Sequence, residues 1–254
     1  MTLGLPLATI FAFLLVLARV GAFVMFLPIP AFRSAPPQLR AALAVALTFA
    51  LFPMWPELPN QAPNMTRLIV WAFSDAGLGL AIGLAIAFLF ESFQVAMQIV
   101  GLQAGYGYAL TIDPTSQADS GVLQILFMLA TGWLFLIFGF DRELIRVLAA
   151  SLERFSAGSW APSAASLDGI VRLGGNMLVT GLRVALPVAA LLLLIDVALA
   201  LLGRMQQQLQ LLSLAFPAKM LAALVLLTAL APMLPKIFDT AAQRTLTQIW
   251  RLLG

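Results

Sequence analysis

From Leu68 to Phe90 the only ionisable side chain is Asp75. A helix needs about 20 mostly apolar residues to cross the hydrocarbon of a bilayer, and this stretch meets that demand. Similar runs recur along the chain: Leu3 to Leu27, the short Leu39 to Trp55, the less apolar Val95 to Leu110, then Val122 to Phe140, Met177 to Leu202 and Leu211 to Leu234. Backbone polar groups in hydrocarbon must bond to one another, so only helices and closed barrels span a membrane. The runs are long and lack the polar/apolar alternation of barrel strands. The fold class is therefore all-α, of the integral membrane type. Composition agrees, with 62% of residues hydrophobic and 10% charged and a mean hydropathy of +1.00. A water-soluble domain is nearer half apolar and about a quarter charged.

Prolines punctuate the runs. Pro28 and Pro30 close the first, Pro53 and Pro56 the second, and Pro187, Pro217 and Pro232 predict kinks or breaks in the last two, because proline lacks an N–H and clashes with the preceding turn. Two segments are amphipathic. Arg142 to Phe155 places Leu144, Leu148, Leu152 and Phe155 on one side; the C-terminal tail places Ile237, Ala241, Ile249, Trp250 and Leu253 near one face. Both read as interfacial or docking helices. Arg19 interrupts the N-terminal run and no basic residue precedes it, so it reads as a retained helix rather than a secretory signal. Alternating seven runs puts the Arg33–Arg40 loop, the Asp141–Asn176 segment and the tail in the cytoplasm. There is no tandem repeat or low-complexity linker, and residues 1–254 read as a single domain.

Three features stand out as candidates for function. Gly79, Gly83 and Ala87 recur every four residues, as do Gly101, Gly105 and Ala109; such ridges let another backbone approach closely, within the chain or between subunits. Arg19, Asp75, Arg183, Asp196 and Lys219 are ionisable residues inside apolar runs, each costing a few kcal/mol at mid-bilayer unless paired or hydrated. Arg183 and Asp196 fall on nearly opposite faces of one helix and cannot pair there, so partners on other helices or chains are expected. Finally, Glu91 to Gly121 carries Gln94, Gln98 and Gln103, then Gly105, Tyr106, Gly107 and Tyr108, then the turn-forming Asp113-Pro114. A polar, Gly-rich segment at membrane depth is tolerated where protein buries it or where it lines a cavity. It is the best pore or gate candidate, with a simple interhelical loop as the alternative.

Other chemistry is poorly supported. The chain has no cysteine and no histidine, which removes disulfides, thiol nucleophiles, imidazole bases and ordinary zinc sites. No phosphate-binding loop, paired-carboxylate constellation or metal-ligand spacing is present, so no cofactor is expected. The net charge of +3 reflects arginines in loops and does not point to nucleic acid.

The Gly101-x-Gln103-x-Gly105 motif followed by Asp113-Pro114 resembles the pattern of the flagellar biosynthetic protein FliR family and its virulence-secretion counterparts. The resemblance runs through most of the chain. Arg19-Val20 and Pro28 match an early Arg-Val and Pro. Trp133 to Ile145 resembles the run after the Asp-Pro loop. Gly203-Arg204-Met205 and Phe216-Pro217 resemble the late Arg-x-x-Pro-Gln … Gly-Phe-Pro segment. Departures fall at Gln207, at Ala215, and around Gly139, Phe140 and Asp141, where the family has Pro, Gly and Asn-Gly-His.

This resemblance implies bent helical hairpins that assemble with several copies of FliP and FliQ into a helical cone. The cone would sit in the bacterial inner membrane, at the centre of the flagellar basal body. Much of it would rise out of the bilayer and conduct unfolded exported proteins. Gly101, Gln103, Gly105, Asp113 and Pro114 would belong to the closed plug, with Tyr106 and Tyr108 as plug side chains. The C-terminal region would face FlhB. Arg19, Asp75, Arg183, Asp196 and Arg204 would serve assembly or buried-charge roles, and Gly79 and Gly83 helix packing. The competing readings are a virulence-type gate subunit and a secondary transporter with its site around Asp75, Arg183 and Asp196.

Overall fold

A computed structural model of the chain describes residues 7–27, 36–56, 64–106, 121–205 and 211–253, and every regular element among them is a helix. In order these are α1 (Leu7–Met25), α2 (Pro37–Ala50), α3 (Met65–Ala104), α4 (Val122–Ile137), α5 (Phe140–Arg154), α6 (Ala164–Met205), α7 (Leu211–Leu230) and α8 (Leu234–Leu253), with 3-10 turns at Phe52–Met54 and Ala231–Met233. The all-α membrane class holds. Four helices among the described residues are long and apolar enough to cross a membrane, or five if the broken pair α4–α5 counts as one span.

The seven runs do not map onto seven helices. The third and fourth form one helix of 40 residues, α3. Glu91 to Gln94 interrupts the apolar pattern but contains no glycine or proline, so polarity changes there without any reason for the helix to stop. The side assignment by alternation over seven runs loses its basis with that merger. Likewise α6 begins well before its apolar part and reaches 42 residues, its first turns supported by an Arg172–Asp168 pair at 2.7 Å. Pro187 and Pro217 do not break their helices, whereas Pro232 sits in the 3-10 turn that parts α7 from α8. At 1.5 Å per residue α3 and α6 are each about 60 Å long, about twice the hydrocarbon thickness. The 14 residues of α2 fall short of it, at about 21 Å.

The chain forms two compact units, one from the described parts of Met1–Phe88, Phe135–Gly174 and Ala242–Gly254, the other from Leu89–Leu134 and Gly175–Ala241. Each boundary falls inside a helix rather than in a linker.

In the first unit α1 buries Ala12, Leu15, Val16, Arg19, Val20, Phe23 and Val24, the 3–4 spacing of one helix face. It packs on α3 at the Gly79–Gly83 ridge. A Cβ at Gly79 would collide with the Arg19 carbonyl oxygen, and one at Gly83 would lie 3.0 Å from the Phe23 carbonyl oxygen. These glycines therefore admit a backbone of the same chain. Helix α5 buries Phe140, Leu144, Val147, Leu148, Ser151 and Leu152, close to the expected face. On α8 the buried side chains of this unit are Ala242, Thr245, Leu246, Ile249 and Leu253, while Trp250 is exposed. The buried face is thus turned by about a residue from the expected Ala241–Trp250 side. Gly139, at φ 70°, separates α4 from α5. Such left-handed backbone favours glycine, and the Gly139 carbonyl accepts from the Arg142 and Glu143 N–H groups that open α5.

Arg19 is the centre of this unit. It is 1% exposed, and its guanidinium donates to the Asp75 carboxylate through Nε at 3.0 Å and through Nη2. It also donates to the Ser151 carbonyl at 2.6 Å and to the Phe155 carbonyl at 3.2 Å. Asp75, equally buried, accepts a further backbone bond from Gly158. Of the two expected roles for Arg19 and Asp75, the structure shows the buried charge, with each residue the other's partner on another helix of the same chain. Removing one member leaves an uncompensated buried charge, worth about 3–5 kcal/mol. We expect Arg19→Ala and Asp75→Ala each to lower the unfolding midpoint of the purified chain in detergent sharply. Arg19→Leu combined with Asp75→Leu should cost less than the sum of the single leucine variants; strict additivity would show the pair is not coupled.

Candidate functional site: the C-terminal end of α3

The G-x-Q-x-G motif is where the longest helix so far along the chain ends. Gly105 has φ 87°. Its N–H donates to the Leu102 carbonyl at 3.2 Å, and the Tyr106 N–H donates to the Gly101 carbonyl at 2.9 Å. This pair of bonds is a Schellman cap, with glycine at the left-handed position and two terminal carbonyls satisfied. The sequence therefore explains where α3 stops. Ala104 supplies the last buried side chain, Gly105 permits the reversal, and Tyr106 closes it. The ridge expected from Gly101 through Gly105 to Ala109 is corrected: the helix stops at Ala104, Gly105 is in left-handed backbone, and Gly101 has open space around its Cβ position, while Ala109 lies outside the described residues.

The capped end is tied to α6 and α7 by polar side chains. Gln103 Nε2 donates to Asp196 Oδ2 on α6 at 3.1 Å. Lys219 on α7 reaches the same carboxylate, at 2.7 Å to Oδ1 and 3.0 Å to Oδ2. The Tyr106 hydroxyl donates to the Met220 carbonyl on α7 at 3.1 Å. Beneath these ties lies an apolar core of Ala96, Met97, Val100 and Ala104 from α3 with Ala185, Val188 and Leu192 from α6 and Ala223 and Leu227 from α7. Gly181 brings α6 close, since a Cβ there would lie 2.7 Å from the Ser92 carbonyl oxygen. Lys219 is the more deeply placed partner, at 13% side-chain exposure against 38% for Asp196.

The structure brings together Gln103, Tyr106 and Asp196 from the expected set. Gly107, Tyr108, Asp113 and Pro114 lie outside the described residues. Asp196 does not await another subunit, because Lys219 neutralises it. Arg183 and Arg204 are exposed and make no ion pair among the described residues. Sequence reasoning noted Lys219 only as a charge in an apolar run. Its opposite sign to Asp196, with Lys219 the sole ionisable side chain of Leu211–Leu234, was the available clue to the pairing. The transporter reading asked Asp75, Arg183 and Asp196 to serve a solute, yet both acids are already tied to cations of this chain.

The described features define an all-α integral membrane protein whose polar groups serve as ties between helices. A family model described as "Bacterial export proteins, family 1" matches residues 10–245. The chain is 33% identical to the flagellar biosynthetic protein FliR of Escherichia coli (strain K12), over 86% of this chain and 83% of that protein. It is 27% identical to the FliR of Pectobacterium carotovorum subsp. carotovorum, over 93% and 88%. It is also 25% identical to the surface presentation of antigens protein SpaR of Salmonella typhimurium (strain LT2), over 86% and 82%. The chain belongs to the bacterial export proteins, family 1.

Two substitutions test the ties. Gly105→Ala forces a Cβ into left-handed backbone and should cost about 1 kcal/mol. Lys219→Ala strips Asp196 of its charged partner and should cost about 1–3 kcal/mol. Both should appear as earlier amide exchange in the last turn of α3, measured by hydrogen–deuterium exchange. Unchanged protection there in both variants would show that the ties do not hold that turn.

Proposed function

We propose that this chain is a gate subunit of a flagellar type III export apparatus. In that reading it assembles with FliP and FliQ counterparts into a helical cone in the bacterial inner membrane, at the flagellar basal body. The cone conducts unfolded exported proteins, lipid covers its membrane face, and a FlhB counterpart meets the C-terminal region. The chain works as one export-gate domain and performs no chemistry of its own. The segment of Gly101, Gln103, Gly105, Tyr106, Gly107, Tyr108, Asp113 and Pro114 contributes to the plug of the closed pore.

The observation that carries this reading is the family match over residues 10–245 together with relatives named FliR. It makes the chain a subunit of a flagellar or type III export apparatus. Two physical features support the finer reading. Helices about twice the bilayer core in length suit a complex that rises out of the membrane. The glycine cap at Gly105 ends a long helix inside the proposed plug segment. The SpaR relative keeps a virulence-type apparatus as the second reading.

Co-expression with the FliP and FliQ counterparts of the same genome, purification in mild detergent and native mass spectrometry test the assembly. A stable mixed complex is expected; a monomer or homo-oligomer that ignores both would sink the proposal. Deleting part of the Gly101–Pro114 segment should let small ions leak through the closed gate. Conductance at the wild-type level in that deletion would show that the segment is not the plug.

A further inference from the structure

Among the described residues, one cation in an apolar stretch of the second unit makes no ion pair. From Leu173 to Ile195, Arg183 is the only ionisable side chain of α6. At 1.5 Å per residue it lies about 15 Å from one end of that stretch and about 18 Å from the other. A guanidinium on its short apolar stem does not bridge such a distance to reach water or headgroups by snorkelling.

The rotational phase of α6 decides where Arg183 points. Gly181, Ala185, Val188 and Leu192 are buried, and Gly181 is fixed against the Ser92 backbone. Arg183 stands two residues from Gly181, so it projects from the opposite side. There it joins Val179, Leu186, Ala190, Leu193 and Val197, all exposed. Their spacing alternates four and three residues, which is the pattern of a helix–helix seam. Pro187, inside the same helix, has no N–H to give the Arg183 carbonyl. The apolar window of α6 has only 17% of its residues buried within the chain, against 56% for α3.

We infer that this face of α6 is a docking seam for a helix of another subunit that carries a carboxylate level with Arg183. Charge complementarity selects that occupant over an apolar one. A carboxylate accepts two parallel bonds from a guanidinium, and a charge buried unpaired under an apolar helix is strongly disfavoured. The inference rests on the proposed assembly and adds the residue and chemistry through which one of its contacts is made.

The test uses the full chain co-expressed with the FliP and FliQ counterparts. Arg183 is exposed and makes no ion pair among the described residues, so Arg183→Leu and Arg183→Glu should leave the melting midpoint of the isolated chain unchanged. The yield of mixed complex by native mass spectrometry should fall about tenfold or more in both, and Arg183→Lys should recover part of it. Replacing acidic residues in the partners' apolar helices by arginine, one at a time, should identify one position that restores assembly to Arg183→Glu. Undiminished assembly of Arg183→Leu beside an assembling wild type would overturn the inference and leave the proposed function standing. Undiminished assembly with loss of bound phosphatidylglycerol would overturn it by assigning a lipid phosphate to Arg183. A wild-type chain that ignores both counterparts would overturn both.

Discussion

A guanidinium buried among apolar side chains needs every donor satisfied and its charge matched, and Arg19 meets both demands from three directions. Asp75 on α3 supplies the charge, while Ser151 on α5 and Phe155 just beyond it supply carbonyls. Such a centre is a weak source of net stability, because two desolvated charges return little more than well-packed apolar groups would. Its effect is on specificity. A one-residue slip of α1 along α3 would strand both charges and drive Gly79 away from the Arg19 carbonyl, where only a glycine fits. The ion pair and the small-residue ridge therefore fix the same register by independent means.

The second unit uses the same logic with shallower groups. Its apolar core is built from alanines, leucines, valines and Met97, which pack tightly but carry little positional information. Asp196 supplies that information by collecting Lys219 and Gln103, so α3, α6 and α7 meet at one level. The helix that carries Gln103 ends two residues later in a glycine cap. Chain direction, helix length and side-chain ties are thus all set within the Gly101–Tyr106 stretch.

The fold class was legible because hydropathy is a bulk property and Leu68–Phe90 alone nearly compels it. The break at Pro232 was legible because proline marks it, whereas the ends at Gly105 and Gly139 were not, because the apolar runs continue past both glycines to Leu110 and Phe140. Helix ends were also misread where only polarity changed, at Glu91–Gln94, because a helix can carry polar residues without stopping. The pairing of Arg19 with Asp75 was hidden for a different reason. Sequence shows that a buried charge needs a partner but does not say on which helix the partner lies. The same gap hid Ser151 and Phe155, which contribute backbone carbonyls that any residue type could offer.

That gap also explains why Arg183 matters. Arg19, Asp75, Asp196 and Lys219 each looked like a charge in need of a partner on another helix or another chain, and each is matched within this chain. The rule that apolar surroundings demand a partner is therefore obeyed within this chain wherever its own helices can obey it. Arg183 lies on the face that α6 turns away from its buried stripe, so no movement of a rotamer brings it to Asp196, about 20 Å along the helix. A chain that satisfies its other embedded charges so fully leaves this one outward for a reason that lies outside its own packing. The 3–4 seam around it gives that reason the shape of a helix, and its positive charge gives that helix an acid.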